Sequence, residues 1–390
     1  MGRKKVAIVV QRYGSEVLGG SESLARSLAH LLSDVYDIDV LTTCAKDYVT
    51  WKNEFQAGES MDGPVRVLRF AVDRQRSKWF NLYNALMLKV PHTRWMEELW
   101  MSMQGPYSTG MFHFIKSNTD KYHLFVFFTY MYGTTYYGIK DVYAKSILLP
   151  TAHDEPYMRF GLYGELFKSV RKIIFLTREE KNFVDDLFDL DNDKGVVIGA
   201  PVSNCNGDMG QFRKKYRIEG DFILYVGRID VMKGVNRLVE YFERYCKERR
   251  PDLKLVLCGN GPLKVPRTDH ILPIGFVLES EKFGAMKAAI ATVLPSKFES
   301  YSIVAMESML SGTPVIVDGD CAVLKGHCQR GEGGICYVSY EEFAKALERL
   351  TADREYRKQV GARGQMYVEV CYSAEVIRKR YISTMDGLIS

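Results

Sequence analysis

The chain has 390 residues, 46% of them apolar and 26% charged, an ordinary folded composition long enough for two α/β domains with a core each. Its 53 basic and 48 acidic residues leave a net charge of +5, too slight an excess for a nucleic-acid binder. Eight cysteines form no Cys-x-x-Cys pair and no zinc spacing, which argues against a disulfide or zinc framework and for a reducing cytosol.

The first apolar run, residues 6–10, is ended by Gln11-Arg12 too soon for a signal sequence and reads as a β-strand. Gly19-Gly20-Ser21-Glu22 follows, with Ser21 as the expected N-cap of a helix to residue 32 and the glycines exposing backbone N–H groups. Strands are predicted at 38–42 and 65–70. Residues 66–94 hold seven Lys/Arg and one acid, Asp73, among Trp79, Phe80, Leu82, Tyr83, Leu86, Met87 and Leu88. This stretch is either a basic-aromatic face for an anionic membrane or a lipid-linked acceptor, or a solvated insertion packed over the first domain. Strands at 124–129, 146–149, 173–176 and 196–198 complete the first series, with a helix at 178–187; the apolar run at 124–132 is too short to span a membrane. The turn-rich Gly199-Ala200-Pro201-Val202-Ser203-Asn204 marks a domain boundary, giving domains 1–200 and 201–373. The second series has strands at 222–226, 253–257, 271–274, 291–294 and 314–317, separated by helices at 235–249, 279–289 and 302–310. The alternation predicts an α/β fold of parallel sheets built from βαβ units. An amphipathic helix at 374–388 closes the chain.

Four strings carry candidate chemistry. Strand 222–226 leads into Gly227-Arg228-Ile229-Asp230-Val231-Met232-Lys233-Gly234, which places two cations at the C-terminal edge of a parallel strand, where α/β sheets bind ligands. Arg228 can grip a diphosphate bidentately and Lys233 adds a mobile charge, or the two belong to a solvated basic loop. Gly259-Asn260-Gly261-Pro262 is a tight turn whose backbone can approach a nucleotide. Glu299 stands in a loop and Glu307 two turns along the following helix; their carboxylates can accept from hydroxyls while the helix N-terminus at Ser302-Ile303 donates to phosphate or sugar oxygens. His153, in Thr151-Ala152-His153-Asp154, ends strand 146–149 and is either a ligand contact or a structural histidine. No G-x-G-x-x-G string is present, which argues against a nicotinamide dehydrogenase. D-x-D strings, among them those at 37–39, 191–193 and 318–320, are the density expected by chance.

The stretch from Glu299 to Glu307, together with the Gly227–Gly234 and Gly259–Pro262 strings and the His153-Asp154 pair, resembles the retaining glycosyltransferases of family 4 and their E-x7-E motif. The resemblance implies a GT-B fold, two Rossmann-like domains facing a central cleft, with residues 374–390 packing back on the N-terminal, acceptor-side domain. It implies transfer of a hexosyl unit from a nucleotide-sugar donor to a glycan or lipid-linked glycan acceptor, with retention and without a catalytic metal or cofactor. Arg228 and Lys233 would hold the diphosphate, Glu307 the ribose and Glu299 the donor sugar. Gly261 and the amides of Ser302 and Ile303 would assist, and His153 and the Gly19-Gly20 loop would face the sugar. By family analogy the setting is cytoplasmic synthesis of a surface polysaccharide or glycoconjugate, with residues 66–94 as the region for peripheral contact at the inner membrane face. Two departures stand out: Ser300-Tyr301-Ser302 occupies the common Gly-Phe-Gly, and Gly199-Ala200-Pro201-Val202 the common G-V-D. The larger side chains of the first are expected to narrow the space beside the donor sugar. A non-hydrolysing sugar-nucleotide epimerase and a non-catalytic glycan-binding protein share the implied architecture.

Overall fold

The computed structural model describes residues 2–17, 19–203 and 205–389. Met1, Leu18, Asn204 and Ser390 lie outside them, so the last position of the predicted 199–204 turn is not among the described residues. The chain divides into two compact units, one running to Pro201 and taking in the residues from Ile377 onward, the other Val202–Val376. Each is a sheet of mainly parallel strands between helices.

The N-terminal unit holds β1 (Lys5–Val9), β2 (Asp37–Thr43), β3 (Gly58–Asp62), β4 (Val65–Phe70), β5 (Leu124–Phe128), β6 (Ser146–Leu149), β7 (Lys172–Phe175) and β8 (Gly195–Val197). Their order is β3-β4-β2-β1-β5-β6-β7-β8. Strand β1 lies between β2 and β5, Val6 pairing with Ile38 on one side and Leu124 on the other. Strand β5, Leu-Phe-Val-Phe-Phe, is buried at every position because helices cover both faces of the sheet. Strand β3 escapes sequence-pattern reasoning: Gly-Glu-Ser-Met-Asp has no apolar alternation, and it pairs antiparallel at the sheet edge with only one side to satisfy. Between β4 and β5 the chain inserts the helices Phe80–Met87, Arg94–Gln104 and Thr109–Ser117.

The C-terminal unit holds β9 (Phe222–Val226), β10 (Lys254–Cys258), β11 (Ile271–Gly275), β12 (Thr292–Leu294), β13 (Val315–Asp318) and β14 (Gly334–Tyr337), in the order β11-β10-β9-β12-β13-β14. All these pairings are parallel. Strand order reverses between β9 and β12, and between β1 and β5 in the other sheet. At such a point the loops leaving the two strands diverge to opposite sides and open a crevice at their C-terminal ends.

The helix Ala374–Ile389 carries the chain back to the N-terminal unit, burying Ile377, Tyr381 and Met385. The Tyr381 hydroxyl donates to the Gly199 carbonyl at 3.3 Å, and the Tyr36 hydroxyl to Asp386 at 3.0 Å. No helix among the described residues is long and apolar enough to cross a membrane. Because Tyr381 is fully buried, Tyr381→Ala should cost about 3–5 kcal/mol, read as a lowered thermal midpoint.

Candidate functional site

The reversal point of the C-terminal unit is built by backbone meeting backbone. Leaving β9, Gly227 N donates to the Cys258 carbonyl at 3.0 Å and Ile229 N to the Asn260 carbonyl at 3.1 Å. A Cβ on Gly259 would lie 1.9 Å from the Gly227 carbonyl oxygen, and one on Gly261 would lie 2.0 Å from that of Ile229. Gly261 therefore serves the packing of one loop on the next. Gly234 adopts a left-handed φ of +74°, and a Cβ there would lie 2.3 Å from the Pro295 carbonyl oxygen. The loop after β9 is thus pressed against the loop after β12.

That contact brings two of the predicted residues together, Lys233 and Glu299. Lys233 Nζ lies 2.8 Å from Glu299 Oε1. Arg228, half exposed, has its Nε 3.0 Å from Asp230 Oδ2, and its carbonyl accepts the Tyr225 hydroxyl at 2.7 Å. Burial, then the charges of Glu299 and Asp230, push the Tyr225 hydroxyl far above its usual range, so it remains a donor.

Glu307 lies on the helix Ile303–Leu310 and is nearly buried. Its Oε1 accepts from Lys282 Nζ at 2.7 Å, while Oε2 is buried without a hydrogen-bond partner. Burial raises its pKa, Lys282 opposes that, and Glu279 adds to it. Lys282 was not foreseen; one lysine on the mixed-charge helix Glu279–Ala288 carries no sequence signal.

Ser302 is the N-cap of the Glu307 helix and sits at φ +64°, ψ +77°, with no side-chain capping bond. A left-handed non-glycine residue costs roughly 1–2 kcal/mol, which accounts for glycine being common at this place in the resembled motif. Of the three larger side chains expected to narrow the space beside a donor sugar, Tyr301 turns into the core. Its ring is buried, at 5.5 Å from both His327 and Tyr372 in edge-on contacts. His327 Nδ1 is 3.0 Å from the Tyr367 hydroxyl, and burial, reinforced by Arg330, depresses the imidazole pKa to about 3.

In the N-terminal unit the loop after β1 caps the helix Gly20–Leu32 at Gly19, not at Ser21. A Cβ on Gly19 would lie 2.1 Å from Glu22 Oε2, whereas one on Gly20 meets nothing within 4 Å. Glu22 is buried and accepts from Arg12 Nη2 at 2.6 Å and Gln11 Nε2 at 2.9 Å, a pair the sequence pattern did not flag. His153 follows β6, partly exposed, with Nδ1 3.7 Å from Glu155 Oε1; that oxygen accepts the Tyr130 hydroxyl at 2.5 Å. The adjacent Ala152 N donates to buried Glu180 at 2.6 Å, which ties the His153 loop to the helix Arg178–Phe188. Of the D-x-D aspartates, Asp39 and Asp318 are buried in ion pairs with Arg66 and Arg237.

Residues 208–366 match the model for glycosyl transferases group 1. Over those residues the chain is similar to that group. An uncharacterized glycosyltransferase of Methanocaldococcus jannaschii, MJ1607, is 23% identical over 97% of this chain and 97% of its own length. Sucrose-phosphate synthase from Thermosynechococcus elongatus superposes with a TM-score of 0.71 at 17% identity, covering 99% of both chains. Anabaena Alr3699/HepE in complex with UDP-glucose gives 0.71 at 12% identity, covering 98% of this chain and 99% of the other. The two-unit α/β architecture is that of GT-B glycosyltransferase structures.

Two outcomes follow from the packing. Gly261→Ala should lower the thermal midpoint by an amount equivalent to about 1–3 kcal/mol, because its Cβ meets unyielding backbone. His327, with a folded pKa near 3 against about 6.5 when unfolded, takes up its proton more readily in the unfolded chain. Stability should fall as pH drops from about 6.5 toward 3, and His327→Gln should flatten the midpoint-versus-pH slope in that window.

Proposed function

We propose that the chain is a retaining, metal-independent glycosyltransferase that moves a hexosyl unit from a nucleotide-sugar to an acceptor hydroxyl of a glycan or lipid-linked glycan. The observation that carries this reading is the contact of Lys233 with Glu299 where the loops after β9 and β12 touch, with Arg228 on the same loop as Lys233. Two cations and a carboxylate there match the diphosphate and the hydroxylated sugar of one ligand. The group 1 similarity and the nucleotide-sugar complex of a fold relative support it.

In this reading Arg228 and Lys233 hold the diphosphate and stabilise the negative charge that develops as the nucleoside diphosphate departs, the work a divalent cation would otherwise do. Lys233 exchanges part of its contact with Glu299 for phosphate, which frees Glu299 to accept from hydroxyls of the sugar. The amides of Ser302 and Ile303, at the helix N-terminus, donate to phosphate or sugar oxygens. Glu307 Oε2, buried and without a protein partner, accepts from a ribose hydroxyl, while Lys282 holds the other carboxylate oxygen. Gly261 lets the turn after β10 approach the nucleotide. His153 and the Gly19-Gly20 loop are assigned to the transferred sugar, and the N-terminal unit to the acceptor. The incoming hydroxyl attacks on the face the nucleoside diphosphate leaves, and its proton passes to the departing phosphate, so no protein base is required. The setting is cytoplasmic assembly of a surface polysaccharide or glycoconjugate.

A thermal-shift screen of UDP-, GDP-, ADP- and dTDP-sugars should show one clear stabiliser. With that donor, Arg228→Ala and Lys233→Ala should each lower turnover by roughly 10²–10³-fold while circular dichroism stays unchanged. Near-native turnover in both would defeat the assignment. Conversion of the donor with no acceptor present would favour the epimerase instead, and binding without turnover the glycan-binding protein.

A further inference from the structure

The helix Phe80–Met87, in the N-terminal unit, presents an apolar face to solvent. Phe80 and Met87 are buried in the core. Beside them, the Tyr83 hydroxyl donates to the Met96 carbonyl at 3.1 Å, and Asn84 Oδ1 accepts from Trp100 Nε1 at 2.7 Å. With 3.6 residues per turn, Trp79, Leu82 and Leu86 fall within about 60° of one another, about 80–160° round the helix from Phe80 and Met87. Trp79 and Leu82 are 70% and 68% exposed, and Trp95, at the start of the next helix, is 71% exposed. Single exposed apolar residues are normal on a protein surface, but a short helix that turns its apolar residues both inward and outward is not.

The charge along the segment that carries this helix has one sign. No acidic residue lies between Arg74 and Met96. Arg74 and Arg76 stack on the rings of Tyr107 and Phe80, and Arg94 pairs with Glu98. Arg66, further back, is spent on buried Asp39. Lys78 and Lys89 flank the helix, are exposed, and pair with no carboxylate among the described residues.

We propose that this face docks on the headgroup region of a lipid bilayer containing anionic lipid. Trp79, Leu82 and Leu86 enter the apolar boundary, Trp95 sits at the interface, and Lys78 and Lys89 meet lipid phosphates. A second copy of this chain fits the face poorly. A two-fold contact would bring Lys78 and Lys89 toward their own counterparts, with no acid between Arg74 and Met96 to separate them. The inference stands on the N-terminal unit alone and does not depend on the transferase reading.

The full chain is sedimented with vesicles of phosphatidylcholine, and with vesicles of phosphatidylcholine mixed with phosphatidylglycerol. Binding to the mixed vesicles, weakened by salt, is expected. It should come with a blue shift of tryptophan emission from Trp79 and Trp95, since Trp51 and Trp100 are already buried. The double variants Leu82→Ser/Leu86→Ser and Lys78→Glu/Lys89→Glu should each bind at least about tenfold more weakly with an unchanged thermal midpoint. No binding to the mixed vesicles, equal binding to both vesicle types, or undiminished binding by both variants would overturn the proposal. So would a self-association that Leu82→Ser/Leu86→Ser abolishes, which would assign the face to a second copy.

Discussion

The close approach of main chain to main chain at the ends of β9, β10 and β12 is the constraint on which the candidate site depends. Gly234 against Pro295, Gly259 against Gly227 and Gly261 against Ile229 leave no room for a methyl group. A side chain at Gly234 would push apart the loops after β9 and β12 that carry Lys233 and Glu299, and one at Gly259 or Gly261 the loops after β9 and β10. The two loops come from strands that are neighbours in the sheet but distant in sequence, so the site exists only once the parallel order is complete.

A second layer holds the loop before the Glu307 helix from beneath. Tyr301 is packed among His327 and Tyr372, and Tyr367 links His327 to Tyr372 through hydroxyls at 3.0 and 3.2 Å. The helix thus begins without a capping side chain, at a serine held in a left-handed conformation by its neighbours. Anchoring by burial replaces capping at this helix start.

The strands were legible because parallel strands covered on both sides are continuous apolar runs with turn residues at their ends. Strand β4 agrees with its prediction at both ends, and β1, β2 and β10 differ by about a residue. Strand β3 was not legible, since a polar edge strand is specified by its partner rather than by its own pattern. Of the site, the motif residues were legible and their contacts were not. Spacing could not show that Lys233 meets Glu299, that Lys282 holds Glu307, or that Tyr301 turns inward. It also could not separate the cations of 66–94 that are spent on Asp39, Tyr107 and Phe80 from the two that remain at the surface.

Glu307 has one oxygen held by Lys282 and the other buried without a protein hydrogen-bond partner. The desolvation of that second oxygen is borne by the fold before any ligand arrives. A nucleotide whose sugar presents a hydroxyl there would relieve it, whereas a deoxy analogue would leave it standing, a difference of about 1–3 kcal/mol. An atom that does nothing in the empty protein could in this way distinguish ribose from deoxyribose.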